Sequence, residues 1–177
     1  YIDGEPIHRW GDATIYSLHA SKLTHCGEGG VLVAADASLR AVCASMQNFG
    51  IADESTVALC GSNGKLSEAS AALGLAVLPG VVAEHSRRRA LRERYRRKLA
   101  SIPGVTIYEL PGGVTQSEQY LVVRLCGDSH RPPSAERDAA FHLLREHRIL
   151  ARRYFHPLCS DFPHYRHLAS AARSNLP

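Results

Sequence analysis

The sequence predicts an α/β fold in two parts, and three observations predict it. Short β-rich runs at residues 13–18 and 30–34 are followed by segments of helical periodicity at 38–49 and from residue 67 onward. Residues 81–102 then form a long, arginine-rich stretch of high helical propensity with few apolar positions. That is the pattern of a helix that bridges domains or lies along a surface. Beyond Pro103-Gly104 the alternation resumes, with β-rich runs at 105–110 and 119–125 and a helical pattern at 135–147. The domains are therefore expected at 1–80 and 104–177, joined by a linking helix over 81–103.

Each element has a local cause. Residues 1–13 read as a connecting segment in which Asp3-Gly4 is a turn signal and Trp10-Gly11-Asp12 leads into the first strand. Asp36 is placed to cap a helix that Gly50 ends, with Leu39, Val42, Cys43 and Met46 facing inward. Residues 51–64 are polar and loop-like. Ser67 is placed to cap the next helix, where Ala69, Ala72, Leu73, Ala76 and Val77 share one face, and Pro79-Gly80 predicts a kink or break. In 81–102, Leu91, Tyr95, Leu99 and Ile102 make a narrow apolar stripe. Pro111-Gly112-Gly113 separates the two later strands. Ser134 is read as the cap of the helix at 135–147, with Ala140, Phe141 and Leu144 inward, and residues 150–157 as a last strand.

Composition narrows the classes. A chain of 177 residues holds one good-sized domain or two small ones, and 45% hydrophobic with 21% charged residues is ordinary for a globular protein. The five cysteines, at 26, 43, 60, 126 and 159, have neither metal-site spacing nor the even count of a closed disulfide framework, so a reducing, cytoplasmic setting is expected. No apolar run approaches the roughly 18 residues that a membrane-crossing helix needs. Among ten histidines, His164 and His167 have i, i+3 spacing but no companion carboxylate or cysteine set, so no metal site is expected.

The chemistry gathers in residues 14–33: a β-rich run, a polar turn carrying Lys22, a glycine cluster and a second β-rich run. Lysine is the side chain that forms a Schiff base with a carbonyl, and pyridoxal phosphate enzymes depend on that reaction. On spacing alone the same pattern also describes many ordinary surface loops.

Ser17-Leu18-His19-Ala20-Ser21-Lys22 followed by Gly27-Glu28-Gly29-Gly30 resembles the lysine and GEGG signature of the DegT/StrS-type sugar aminotransferases. Asn48-Phe49-Gly50, Gly61-Ser62-Asn63-Gly64-Lys65-Leu66-Ser67-Glu68, Ala71-Ala72-Leu73-Gly74-Leu75 and Arg153-Tyr154-Phe155-His156-Pro157 fall in that family's order and at about its spacing. The resemblance implies the later part of an aspartate aminotransferase-like (fold type I) large domain followed by a small α+β domain. It also implies an internal portion of a longer enzyme that lacks most of the cofactor cradle, is expected to hold the cofactor poorly alone, and works as a homodimer with the active site shared across the interface.

The resemblance further implies pyridoxal 5'-phosphate as cofactor. An amino-acid donor such as glutamate and a nucleotide-linked keto sugar are implied as substrates. Lys22 would be the covalent anchor and the proton carrier, and Ser17 would bond the cofactor phosphate. Asn63 would reach the partner's phosphate. His19 lies beside the cofactor or braces the turn. Glu28 holds the lysine loop or sits near the donor, and Lys65 is a basic neighbour of Asn63. Tyr154 and Phe155 line the substrate entrance or pack a terminal strand. In relatives a glycine precedes the isoleucine that follows the last helix; here Arg148 stands in that place, at a modest penalty if its backbone is left-handed.

Two alternatives stay open. A lysine-retaining dehydratase of the same family, making an aminobenzoate ring, fits the same motifs. The basic run from Ser86 to Lys98 fits a nucleic-acid or acidic-surface binding helix as well as a solvated linker. The sugar, its nucleotide and the aminated carbon are not written in these residues.

Overall fold

The computed structural model describes residues 1–126 and 133–175. They form two units: Tyr1–Lys98 with Glu109–Leu121, and Leu99–Tyr108 with Val122–Pro177.

The first unit opens on an Asp3-Gly4 turn with positive φ at both residues, closed by reciprocal backbone bonds between Ile2 and Glu5. Strands β1 (Ala13–Ser17) and β2 (Gly30–Ala34) pair antiparallel, from Ala13 opposite Ala34 to Ser17 opposite Gly30. Helix α1 (Ala37–Gln47) begins at Asp36, whose carboxylate accepts from the Ser38 and Leu39 amides. These amides also hold its carboxyl below the usual aspartate range, Ser38 first. Phe49 and Gly50 then turn the chain through positive φ.

The stretch expected to be loop over 51–64 contains a small hairpin, β3 (Ile51–Asp53) with β4 (Thr56–Val57). Its turn is local: the Asp53 carboxylate accepts from the Ser55 amide at 2.9 Å, an Asx turn that polar composition disguised as loop.

Helix α2 (Glu68–Val77) is capped by Ser67, whose hydroxyl accepts from the Ser70 amide. Pro79 does not break the run. Leu78–Gly80 tightens to a 3-10 turn and the chain continues as α3 (Val81–Leu99). Proline's missing N–H is tolerated at the start of a helical turn. The whole run, Glu68–Leu99, has an 18-residue window of mean hydropathy 1.2. By length and composition alone the run is enough to cross a membrane, although it holds no unbroken apolar stretch of about 18 residues.

The half-buried positions of α2 are Ser70, Ala71, Gly74 and Val77, while Ala69, Ala72, Leu73 and Ala76 are exposed. Only Val77 belongs to the face expected from hydrophobicity, because a small-residue face allows closer approach than an apolar one. In α1, Leu39 and Cys43 are half-buried but Val42 and Met46 are exposed. Cys26 is the one buried side chain among the described residues, 1% exposed.

In the second unit, β5 (Val105–Ile107) and β6 (Val123–Leu125) pair antiparallel, each shorter than expected. Residues 109–121 leave that sheet and cluster with the first unit. Helix α4 (Pro133–Glu146) starts at Pro133, so Ser134 lies inside its first turn rather than at its cap. Ala140 and Phe141 are half-buried, and Leu144 is exposed. Arg148 has φ of 59°, the left-handed backbone that a glycine would adopt more readily. Residues 150–157 form no strand. Pro157 has no N–H to give to a ladder, and Leu150, 88% exposed, buries no face.

Candidate active site

The β1–β2 ladder extends one step past its strands, where the Leu18 amide donates to Gly29 and the Cys26 amide donates to Leu18. Residues 19–25 are thereby closed into a loop on the end of a hairpin. Lys22 lies in it, its amide donating to the His19 carbonyl at 2.9 Å. Its side chain is half-buried and lines a cavity of about 380 Å³ with Ser21, Leu23, His25, Val81 and Arg88. The Arg88 guanidinium on that wall is bonded to Glu84 at 2.7 Å.

His19 is tied into the same loop. Its Nδ1 accepts from the Ser21 amide at 3.1 Å and lies 2.8 Å from the Ser21 hydroxyl. An accepting Nδ1 leaves the proton on Nε2, which faces the Glu28 carboxylate at 3.6 Å. Glu28 is therefore drawn to the lysine loop. Ser17 Oγ accepts from the His19 amide at 3.3 Å, which joins the serine to the loop's first residue.

Cys26, which closes the loop, is buried. Its thiol donates to the Glu28 carbonyl at 3.3 Å. Gly29 is required here because an added Cβ would lie 2.6 Å from the Cys26 sulfur and 2.7 Å from Leu66 Cδ1. Leu66 belongs to the segment carrying Asn63 and Lys65, so that segment rests on the hairpin's glycine cluster. Asn63 forms a bridge with Asn48. Lys65 Nζ donates to Asn48 Oδ1 at 2.8 Å and lies over the Phe49 ring. Among the described hydrogen bonds, none joins Asn63 or Lys65 to the Lys22 loop. Tyr154 and Phe155 sit in the second unit, both exposed, with ring centroids 4.2 Å apart.

Two residues of the site escaped the sequence reading. His25 lines the Lys22 cavity, and its Nδ1 is buried without a hydrogen-bond partner. Its place three residues after Lys22 was the available signal. Gln119 bonds the loop from 96 and 98 residues away, and nothing local announces it. Among the described residues, no three histidine, cysteine or acidic side chains gather around a metal position.

Residues 1–177 match the profile of the DegT/DnrJ/EryC1/StrS aminotransferase family. The chain is 41% identical over 150 residues to dTDP-4-amino-4,6-dideoxy-D-glucose transaminase of Escherichia coli, covering 85% of this chain and 39% of that protein. It is 34% identical over 163 residues to the transaminase of the same name in Shigella dysenteriae, covering 92% of this chain and 43% of that one. Among solved structures it is similar to DesI, crystallised in the presence of its TDP-sugar product, with a TM-score of 0.82 and 32% identity over 95% of this chain and 42% of DesI. The chain thus spans about two fifths of the length of these relatives.

Proposed function

The chain belongs to the DegT/DnrJ/EryC1/StrS aminotransferase family, and we propose that it carries the lysine half of a pyridoxal phosphate-dependent sugar transaminase. In this reading an amino-acid donor such as glutamate gives its amino group, and a nucleotide-linked keto sugar receives it. A deoxythymidine diphosphate sugar is the class favoured by the relatives' names. The first unit is read as the later part of the cofactor domain and the second as part of a small domain. The working form is read as a homodimer in which Asn63 serves the partner's site.

The observation that carries this reading is Lys22 itself, held at the end of a strand pair and opening into a cavity. The residues present fit the cofactor. The cavity is lined by Lys22, which supplies a primary amine, and by His25, whose Nδ1 is buried and unpaired, and its wall carries the Arg88–Glu84 ion pair. When bound, the cofactor supplies an electron sink for the substrate's carbanion. Lys22 would anchor it and, once released, carry the proton between the substrate carbon and the cofactor as general base and acid. Ser17, at the mouth of the loop, would donate to the cofactor phosphate. His19 and Glu28 orient the loop through the Nε2–carboxylate pairing.

The competing reading, a nucleic-acid-binding helix, is disfavoured by the charges of α3. Arg87 and Arg88 pair with Glu84, Arg92 with Glu109 and Glu118, and Arg96 and Arg97 with Glu93. Cations already paired along the helix have less to offer a phosphate backbone.

The test is Lys22→Ala in the full-length protein, assayed for amino transfer to a dTDP-linked keto sugar. Turnover is expected to fall by at least about 10³-fold, and borohydride reduction is expected to leave no cofactor mass on the peptide containing position 22. Unchanged turnover would overturn the reading.

A further inference from the structure

Two peptide units flank the Lys22 Cα, and between them they carry four hydrogen-bonding groups. Three of these groups are held. The Lys22 N–H donates to the His19 carbonyl at 2.9 Å. The Leu23 N–H donates to Gln119 Oε1 at 2.9 Å, and the Ser21 carbonyl accepts from Gln119 Nε2 at 2.5 Å. The last two bonds come from a single carboxamide. Its orientation is unambiguous, because only an oxygen can accept from the Leu23 amide and only the NH₂ group can donate to the Ser21 carbonyl. Gln119 therefore does for this turn what a neighbouring strand does for a β-residue, gripping one side of the chain while His19 grips the other.

Gln119 is in turn held from behind. Its neighbour Glu118 has φ of 54°, a conformation that a non-glycine residue keeps only where its surroundings enforce it. The Glu118 carboxylate, only 7% exposed, lies 3.9 Å from Arg92 of α3. Three residues before Gln119, the Gln116 carbonyl meets His85 Nε2 of the same helix at 2.9 Å. The segment is thus fastened to α3 at two points and reaches across to the lysine loop with one side chain.

We propose that Gln119 is a positioning residue: its carboxamide fixes the backbone on both sides of Lys22 and so aims the ε-amine into the cavity. This rests on the reading of Lys22 as the reactive amine. Effective catalysis by an amine depends on its being presented in a narrow range of directions. The ε-amine lies at the end of four side-chain torsions, so any tilt of the Cα–Cβ bond is carried out to it, and a fixed Cα–Cβ direction narrows the region it samples.

The experiment uses the full-length protein with Gln119→Ala and Gln119→Glu, and Lys22→Ala as reference. Three quantities are read: hydrogen exchange of the Leu23 amide without cofactor, the rate at which added pyridoxal phosphate is captured on Lys22 (trapped by borohydride and located by mass spectrometry), and kcat against KM for the sugar. In Gln119→Ala, Leu23 exchange is expected to accelerate at least about tenfold. Capture and kcat are expected to fall about 10- to 100-fold, with KM for the sugar unchanged. Gln119→Glu keeps an acceptor for Leu23 but loses the donor to Ser21. It is expected to retain the Leu23 protection and to capture cofactor at an intermediate rate, so the proposal stays testable if the alanine variant fails to fold. Unaltered capture in both variants overturns the proposal, as does slowed capture with Leu23 protection intact in Gln119→Ala. If Lys22→Ala itself still turns over, the reading of Lys22 falls instead, while the exchange measurement still reports whether Gln119 clamps the turn.

Discussion

At position 29 the backbone passes so close to the Cys26 sulfur and the Leu66 side chain that even one added methyl group collides with both. Gly29→Ala in the full-length protein is therefore expected to destabilise it by about 1–3 kcal/mol, as overpacking does, and to loosen the lysine loop above it. Urea unfolding monitored by circular dichroism checks this, and an unshifted midpoint would show that the contact yields freely. At this scale the sequence was legible where cause and effect are close together in the chain. The cap at Asp36 and the cap at Ser67 each follow from a residue and its next few neighbours, whereas the left-handed Arg148 was announced by the glycine that relatives carry in its place. The turn that carries Lys22 was legible because its polar residues, glycines and flanking strands are contiguous. Gln119 was not, since its effect falls on Ser21 and Leu23, nearly a hundred positions away, and a glutamine in a polar stretch has no distinguishing local pattern. His25 lay in plain view beside Lys22, but burial of one ring nitrogen is a property of the packed fold.

At the scale of elements, α3 is laced by ion pairs along its own length. Hydrogen bonds from Arg87, then from Arg88, hold the Glu84 carboxyl down at about 2. A carboxyl depressed on folding contributes stability that is complete above its ordinary value near 4.5 and is lost as pH falls through the folded value. The difference in unfolding midpoint between the parent and Glu84→Gln is thus expected to be steady above about pH 4.5 and to shrink toward zero near pH 2. A difference that does not vary with pH would mean that the pair contributes through packing alone. The turn at Pro79 shows what form the expected kink or break takes: a single 3-10 turn between α2 and α3. Proline stands at the first turn of the helical segment that follows, where its ring and missing N–H fit. The packing face of α2 was hidden for a related reason. Hydrophobic spacing marks where greasy side chains recur, whereas this helix meets the hairpin through Gly74, which lies against Cys26.

For the molecule as a whole, the apolar surface left open is the dominant fact. Ile15 is 76% exposed, Leu75 71% and Val82 77%, and these are strand and helix residues rather than loop tips. Exposed faces of this kind mark surfaces that other polypeptide covers. The 177-residue chain taken alone is expected to bind the dye ANS strongly and to unfold over a broad urea range, whereas the full-length protein is expected to do neither. A sharp transition without dye binding in the isolated chain would count against this. One sulfur offers a way to watch the site in the complete enzyme. Four of the five thiols are exposed or partly so, and Cys26 alone is enclosed, bonded to the Glu28 carbonyl and packed against Gly29 and Gly74 of α2. A thiol reagent in excess can reach it only when that cover lifts. Its slow labelling rate is thus a clock for spontaneous parting of the glycine cluster from α2, readable without substrate, cofactor or any engineered probe.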